Sequence, residues 1–190
     1  MEHKHHVLID ATQESHAPFF ARNDNFNSWL HSYDNVFEAL KFINGIELPY
    51  STEVYIARDT IYDPISSELN APTLIKTLGD LQSINHISVY SPNNDIGLEQ
   101  QIRSILPDKR QLKKVISVIN LRTLMCEEGR AYLTEKICHC IANEEINLIP
   151  NYQQDINRLT DYYNEIFAHQ RLRIDALVEE HFNRPSEEVT

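Results

Sequence analysis

Six polar residues stand where four short apolar runs of this chain end. Asp10 and Thr12 follow the first, Asp59 the second, Ser91 and Asn93 the third, and Asn120 the fourth. If the runs are parallel strands, these residues gather at the carboxyl ends, where open α/β sheets bind ligands. They form the candidate ligand-binding set. A nucleotide cradle of the Rossmann or P-loop kind needs glycine there, because backbone must approach phosphate closely. The four glycines are Gly45, Gly79, Gly97 and Gly129, and none follows the first run. A phospho-receiver needs carboxylates around Mg²⁺ and a cation for the phosphoryl group. Asp10 and Asp59 suit that role, but Ser91-Pro92 and Asn120-Leu121-Arg122 offer neither acceptor carboxylate nor strand-end lysine. The two acids are expected to cap neighbouring helices or loops instead. Ser91, His86, His31 and Asp59 contain the types of a nucleophilic triad, yet no Gly-x-Ser-x-Gly elbow is present. No catalytic residue and no cofactor is expected.

Cys138-His139-Cys140 has metal-ligand types at the wrong spacing. On a helix, adjacent side chains diverge by about 100°, so three in a row do not close around one ion. Cys126 is too far along the helix to help, and a pair of small packed thiols is expected. His3, His5 and His6 are expected on a solvated N-terminus. No metal site is expected. Trp29, the one tryptophan, is expected in the core.

A net charge of −11 repels nucleic-acid phosphates and acidic lipid. A nucleic-acid role would need Lys109, Arg110, Lys113 and Lys114 to act as a patch; a solvated loop leading into a strand is expected instead. No apolar run reaches the ~18 residues that span a bilayer, and the N-terminus lacks an apolar signal core. Three cysteines make no disulfide framework, so a reducing, cytoplasmic setting is expected.

The elements that must position these residues read as strands alternating with helices. Strands are expected over 6–10, 53–59, 86–91 and 114–119, each short and rich in β-branched or aromatic residues. Phe26, Trp29, Leu30 and Tyr33 recur at helical spacing and predict a helix. Another helix is predicted over 35–44, opened by Asn35 with Glu38 three residues on, buried along Val36, Phe37, Leu40 and Ile43, and stopped by Gly45. Asp63-Pro64 predicts a helix start. The pattern then runs through Leu69 and from Thr73 to Leu81, with Pro72 dividing it. A short helix is predicted over 97–106, and a long one from Asn120 to about 146 with a face of Met125, Leu133, Ile137 and Ile141. Such alternation implies βαβ crossovers and an α/β fold: a small three-layer sandwich with about four parallel strands, plus long C-terminal helices.

Pro150 is the expected boundary between an α/β domain over 1–149 and a helical segment over 150–190. In that segment Ile156, Leu159, Tyr163, Ile166, Phe167, Ile174 and Leu177 approximate one stripe. Gln170 and Arg173 interrupt it, so a strict heptad seam is not expected. An apolar stripe on a helix of that length needs a cover: its own domain, a protein partner, or a second copy in a homodimer. The function expected is a non-catalytic interaction or signalling scaffold. The alternative is a small-ligand binder or hydrolytic enzyme at the strand ends.

Val7-Leu8-Ile9-Asp10, Ser32 to Ile43, Val54-Tyr55-Ile56, Ile84 to Ser91 and Lys113 to Ile119 follow one another in an order that resembles a poorly characterised family of small flavodoxin-like or receiver-like modules. In longer chains these stand beside ADP-ribosyltransferase domains or tetratricopeptide-type repeats. The resemblance spans about residues 6–145 and consists of apolar patterns. Family members tend to carry a Ser/Gly-rich turn after the second strand, where this chain has Arg58-Asp59-Thr60-Ile61. The resemblance implies a non-catalytic module. No transferase site is carried over, because the matching region is the partner module.

Overall fold

A computed structural model describes residues 4–10, 29–46, 51–63, 68–69, 71–91, 96–106, 108 and 111–183. The chain divides into two compact units, Met1–Leu121 and Arg122–Thr190. The division falls ahead of Pro150, inside a continuous helix.

The first unit is an α/β fold on a five-stranded parallel sheet. Its strands are β1 (Lys4–Ile9), β2 (Leu30–Tyr33), β3 (Ser51–Ala57), β6 (Ile84–Ser91) and β7 (Leu112–Ser117), in the order β2-β1-β3-β6-β7. The four predicted strands are present. The fifth, β2, lies where Leu30 and Tyr33 suggested a helix. Two apolar residues three apart fit a helical stripe, but pairing along β1 decides the outcome. Leu30 stands opposite His6 and Tyr33 opposite Ile9, so the two point to opposite faces. Residues 26–28 lie outside the described residues.

Alternation along the strands sorts two faces. Val7, Ile9, Val54, Ile56, Ile87, Val89 and Leu112 form one core with α1 (Val36–Asn44), α2 (Arg58–Ile61), α3 (Pro72–Asp80) and α4 (Ile96–Ile105). These helices contribute Ala39, Ile43, Ile61, Leu74, Ile75, Leu78, Leu98 and Ile102. The opposite face carries His6, Leu8, Asp10, Glu53, Tyr55, Ser88 and Tyr90, all buried as well. Burial on both faces is what makes the strands read as near-continuous apolar runs.

Three local expectations are corrected. Helix α1 is capped as expected, with Asn35 Oδ1 accepting from the Phe37 and Glu38 amides at 2.8 and 3.4 Å. Of its expected stripe Ile43 is buried and Val36 and Leu40 pack partly buried on the core, but Phe37 is 71% exposed and Ala39 is buried instead. The Asp63-Pro64 helix is replaced in its described part by a small antiparallel ladder of β4 (Tyr62–Asp63) and β5 (Glu68–Leu69). Pro72 opens α3 rather than dividing it, since its fixed φ suits a first helical turn.

The second unit contains most of α5 (Val118–Ala142), a 3₁₀ turn (Ile146–Leu148) and α6 (Ile149–Asn183). Pro150 sits in the first turn of α6, so the helical break comes earlier. Glu144 makes it with a left-handed φ of 61°. The Glu145 amide donates to Cys140 O at 2.9 Å and the Glu144 amide to Ile141 O at 3.4 Å. This is a Schellman reversal built without glycine. Tyr163 on α6 donates to Glu127 Oε1 on α5 at 3.3 Å. Met125, Cys126, Leu133 and Cys140 are buried on α5, Leu159 and Ile166 on α6. Ile137 is half-buried and Ile141 is 61% exposed, which corrects the expected α5 face. No described helix is long and apolar enough to cross a membrane.

Candidate functional site

Strand order reverses between β1 and β3, and the crevice beyond their carboxyl ends is where ligands of open sheets sit. Ile9 pairs with Ile56, and Ala57 pairs with Tyr90. Asp10, Ala57 and Tyr90 therefore form one row across three strands on one face. Ala57 is small enough to let the Tyr90 ring reach across it to Asp10. Tyr90 and Asp10 are each 3% exposed. Burial raises the Tyr90 phenol well above its ordinary range, and the neighbouring Asp10, followed by the charge of Asp59, raises it further. The phenol therefore stays protonated at neutral pH.

Of the expected set, Asp10 and Asp59 are brought together around Tyr90, with Asp10 buried and Asp59 exposed on α2. Ser91 is buried at the end of β6, on the face of Val89 by alternation. Asn120 is exposed in the first turn of α5, where its amide donates to Ser117 Oγ at 3.2 Å. Thr12 and Asn93 lie outside the described residues.

A second polar cluster stands at the other end of the sheet. Glu53 on β3 is 3% exposed, its Oε1 lies 3.0 Å from His86 Nδ1, and its Oε2 accepts from Lys113 Nζ at 3.4 Å. Two irregularities assemble it. The β3–β6 register shifts between Thr52 and Glu53, which sets His86 opposite Glu53. The β6–β7 register shifts between Ile87 and Ser88, leaving Lys113 as the extra residue that reaches back to β3. Burial alone would raise the Glu53 carboxyl. The His86 hydrogen bond and the Lys113 charge outweigh it and hold the carboxyl below its ordinary value. The cluster ties three strands together around one desolvated charge. A carboxylate in a central strand was a readable sign that paired cations must exist nearby.

His5 and His6 are not on a solvated tail, because β1 begins at Lys4. His6 is 4% exposed, packed edge-on against Trp29 and stacked on Tyr55, whose hydroxyl lies 3.3 Å from His6 Nδ1. Trp29 is 3% exposed, as expected of a core residue. Cys138 and His139 are exposed while Cys140 is buried. Among the described residues no three His, Cys, Asp or Glu side chains are grouped to hold a metal. Burial pushes the Cys126 thiol up to about 12, so it is protonated and inert at neutral pH. Of the basic run, Lys113 serves Glu53, and Lys109 and Arg110 lie outside the described residues.

The stripe on α6 resolves into two. Leu159 and Ile166 are buried and Ile156 and Tyr163 half-buried. Phe167, Ile174 and Leu177 are exposed at 46%, 59% and 57%, with Leu172 and Val178 exposed beside them. No family model matches the chain, and neither a curated protein nor a solved structure matches it.

Proposed function

We propose that this chain is a non-catalytic protein-interaction module that pairs with a second copy of itself through the distal half of α6. The supporting observation is the exposed apolar stripe on the distal half of a helix whose proximal half buries Leu159 and Ile166. Tyr163, Phe167, Gln170, Ile174 and Leu177 follow one another at steps of four, three, four and three, the spacing that meets another helix. This register leaves Arg173 off the seam, and Gln170 is its one polar member.

Charge favours a second copy as the occupant. The whole chain carries −11, yet on the distal half of α6 Arg171 and Arg173 stand against Asp175, Glu179 and Glu180. The two basic residues precede Ile174 and the three acidic ones follow it. Two copies laid antiparallel about that residue set basic half against acidic half. The Arg171–Asp175 pair within one helix is 3.9 Å long and exposed, so little is lost when the partners exchange.

The sheet order, counted over its five strands as 2-1-3-4-5, is that of flavodoxin-like and receiver-like domains, which supports the resemblance to a non-catalytic partner module. Free thiols fit a cytoplasmic setting. The burial of Asp10 and Tyr90 weighs against an open ligand or hydrolytic site there. Sedimentation velocity of the full chain across a wide concentration range tests the pairing. The expected result is a species of two copies that Ile174→Glu with Leu177→Glu reduces to one. A full chain that sediments as one copy throughout, or a variant that still pairs, refutes it.

A further inference from the structure

His31 has a buried ring nitrogen with no partner. It stands on β2, the edge strand, opposite Val7, and faces α1. Its ring centroid lies 4.2 Å from that of Phe42 on α1 and 5.6 Å from that of His5 on β1. Phe42 in turn packs against His5 and Tyr33. Within this stack Nε2 is buried and accepts or donates no hydrogen bond. A neutral imidazole tolerates that position by keeping its proton on Nδ1. Protonation places a charged N–H at a buried Nε2 that has no acceptor, a form the stack cannot hold.

The groups around the ring do not offset that charge. His5 faces it from β1, and Tyr33 lies on the same face of β2. Glu38 and Lys41 come from α1, lining an open cavity of about 600 Å³ together with His5, Tyr33, Phe42, Gly45 and Ile46. The Tyr33 phenol is raised by burial and by the charge of Glu38. Burial, and then the charge of His5, lower the affinity of His31 for a proton. The adjoining cavity gives the rings room to move. The strand that would move is short, four residues long, and among the described strands is hydrogen-bonded only to β1. Edge elements of this kind open at lower free energy than central strands.

We propose that the corner formed by β1, β2 and α1 is a proton-sensitive latch, in which charging of His31 releases β2 and α1 while β3 and β6 stay paired. The inference does not depend on the pairing through α6. A group whose proton affinity is lowered in the fold contributes stability above its unfolded pKa and loses it as pH falls. The window therefore opens below about 6.5, the ordinary imidazole value.

Hydrogen exchange of the full chain at two pH values, corrected for intrinsic exchange, reads this directly. The expected result at the lower pH is a loss of protection of tenfold or more over residues 30–44, with β3 and β6 unchanged. His31→Phe, whose ring still stacks on Phe42, abolishes the response. Equal loss in the central strands, no loss over 30–44, or an undiminished loss in the variant overturns the latch. If the variant fails to fold, NMR titration of the native imidazole decides: a His31 pKa at or above the ordinary value overturns it, and one below supports it.

Discussion

Among the described residues of the α/β unit nearly every large apolar side chain is inside, whereas the helical unit leaves many of its own outside. Phe37 is the one exposed large hydrophobic among the described residues of the first unit. The second exposes Ile141, Ile146, Leu148, Phe167, Leu172, Ile174, Leu177 and Val178. The strands of the first unit are buried on both faces, so their apolar residues are out of water. The second is a pair of helices that satisfies one stripe each and leaves the far end of α6 with an apolar stripe in water. Stability therefore rests on the sheet, and the association proposed above on α6. That division separates what a substitution does to folding from what it does to pairing.

The largest test of the division sets Ile87 against Leu177. Ile87 is fully buried in the central sheet and Leu177 is 57% exposed. Ile87→Ala is expected to cost about 2–5 kcal/mol of unfolding free energy, as buried truncations do. Leu177→Ala, measured by the same urea titration in dilute solution, is expected to stay within about 0.5 kcal/mol. Comparable losses at both sites would dissolve the contrast.

A smaller effect is expected at Glu53, where the sheet unit itself departs from an apolar interior. Replacing this buried carboxylate by Gln leaves His86 and Lys113, both partly exposed, to hydrate in its absence. Glu53→Gln is expected to cost about 1–3 kcal/mol near neutral pH. Because the folded carboxyl titrates below its ordinary value, its contribution is present above the unfolded carboxylate pKa. It is lost as pH falls through the folded one. Denaturation titrations of both proteins should converge as the solution is acidified. A gap that is constant with pH would mean that the charge does not hold the cluster.

The same contrast governs how much could be read from the sequence. The central strands were legible because burial on both faces leaves unbroken apolar runs such as Val7-Leu8-Ile9 and Val54-Tyr55-Ile56. Strand β2 was not, since Leu30-His31-Ser32-Tyr33 has no local strand pattern and forms only against β1. Asn35 announced its helix through a side chain that caps locally, but Phe37 looked buried because a short helix does not reveal which of two apolar stripes faces the sheet. Asp10 and Asp59 were found from strand ends. Tyr90 was missed because its role depends on Ala57 being small in the neighbouring strand, a relation that only register supplies. Glu53, His86 and Lys113 depend on two register shifts, which leave no mark in composition. On α6 the apolar positions were visible, while their separation into a buried and an exposed stripe needed the helix in place.

The smallest expected effect lies at the turn between the two helices, and it concerns the unit with least core. Glu144 holds φ at 61° to close α5, a conformation in which a side chain crowds its own backbone. Glycine at that position removes the crowding, at the cost of greater backbone freedom in the unfolded chain. Relief of strain of roughly 1–2 kcal/mol against an entropy cost of roughly 0.5–1 leaves a net gain of about 0.5 kcal/mol for Glu144→Gly. The turn joins α5 to α6 within the second unit, so the gain should slow hydrogen exchange in the final turn of α5 and leave the exchange of β3 and β6 untouched. A gain that spreads to the sheet would show that the two units unfold as one, and the separation of folding from pairing would then have to be abandoned.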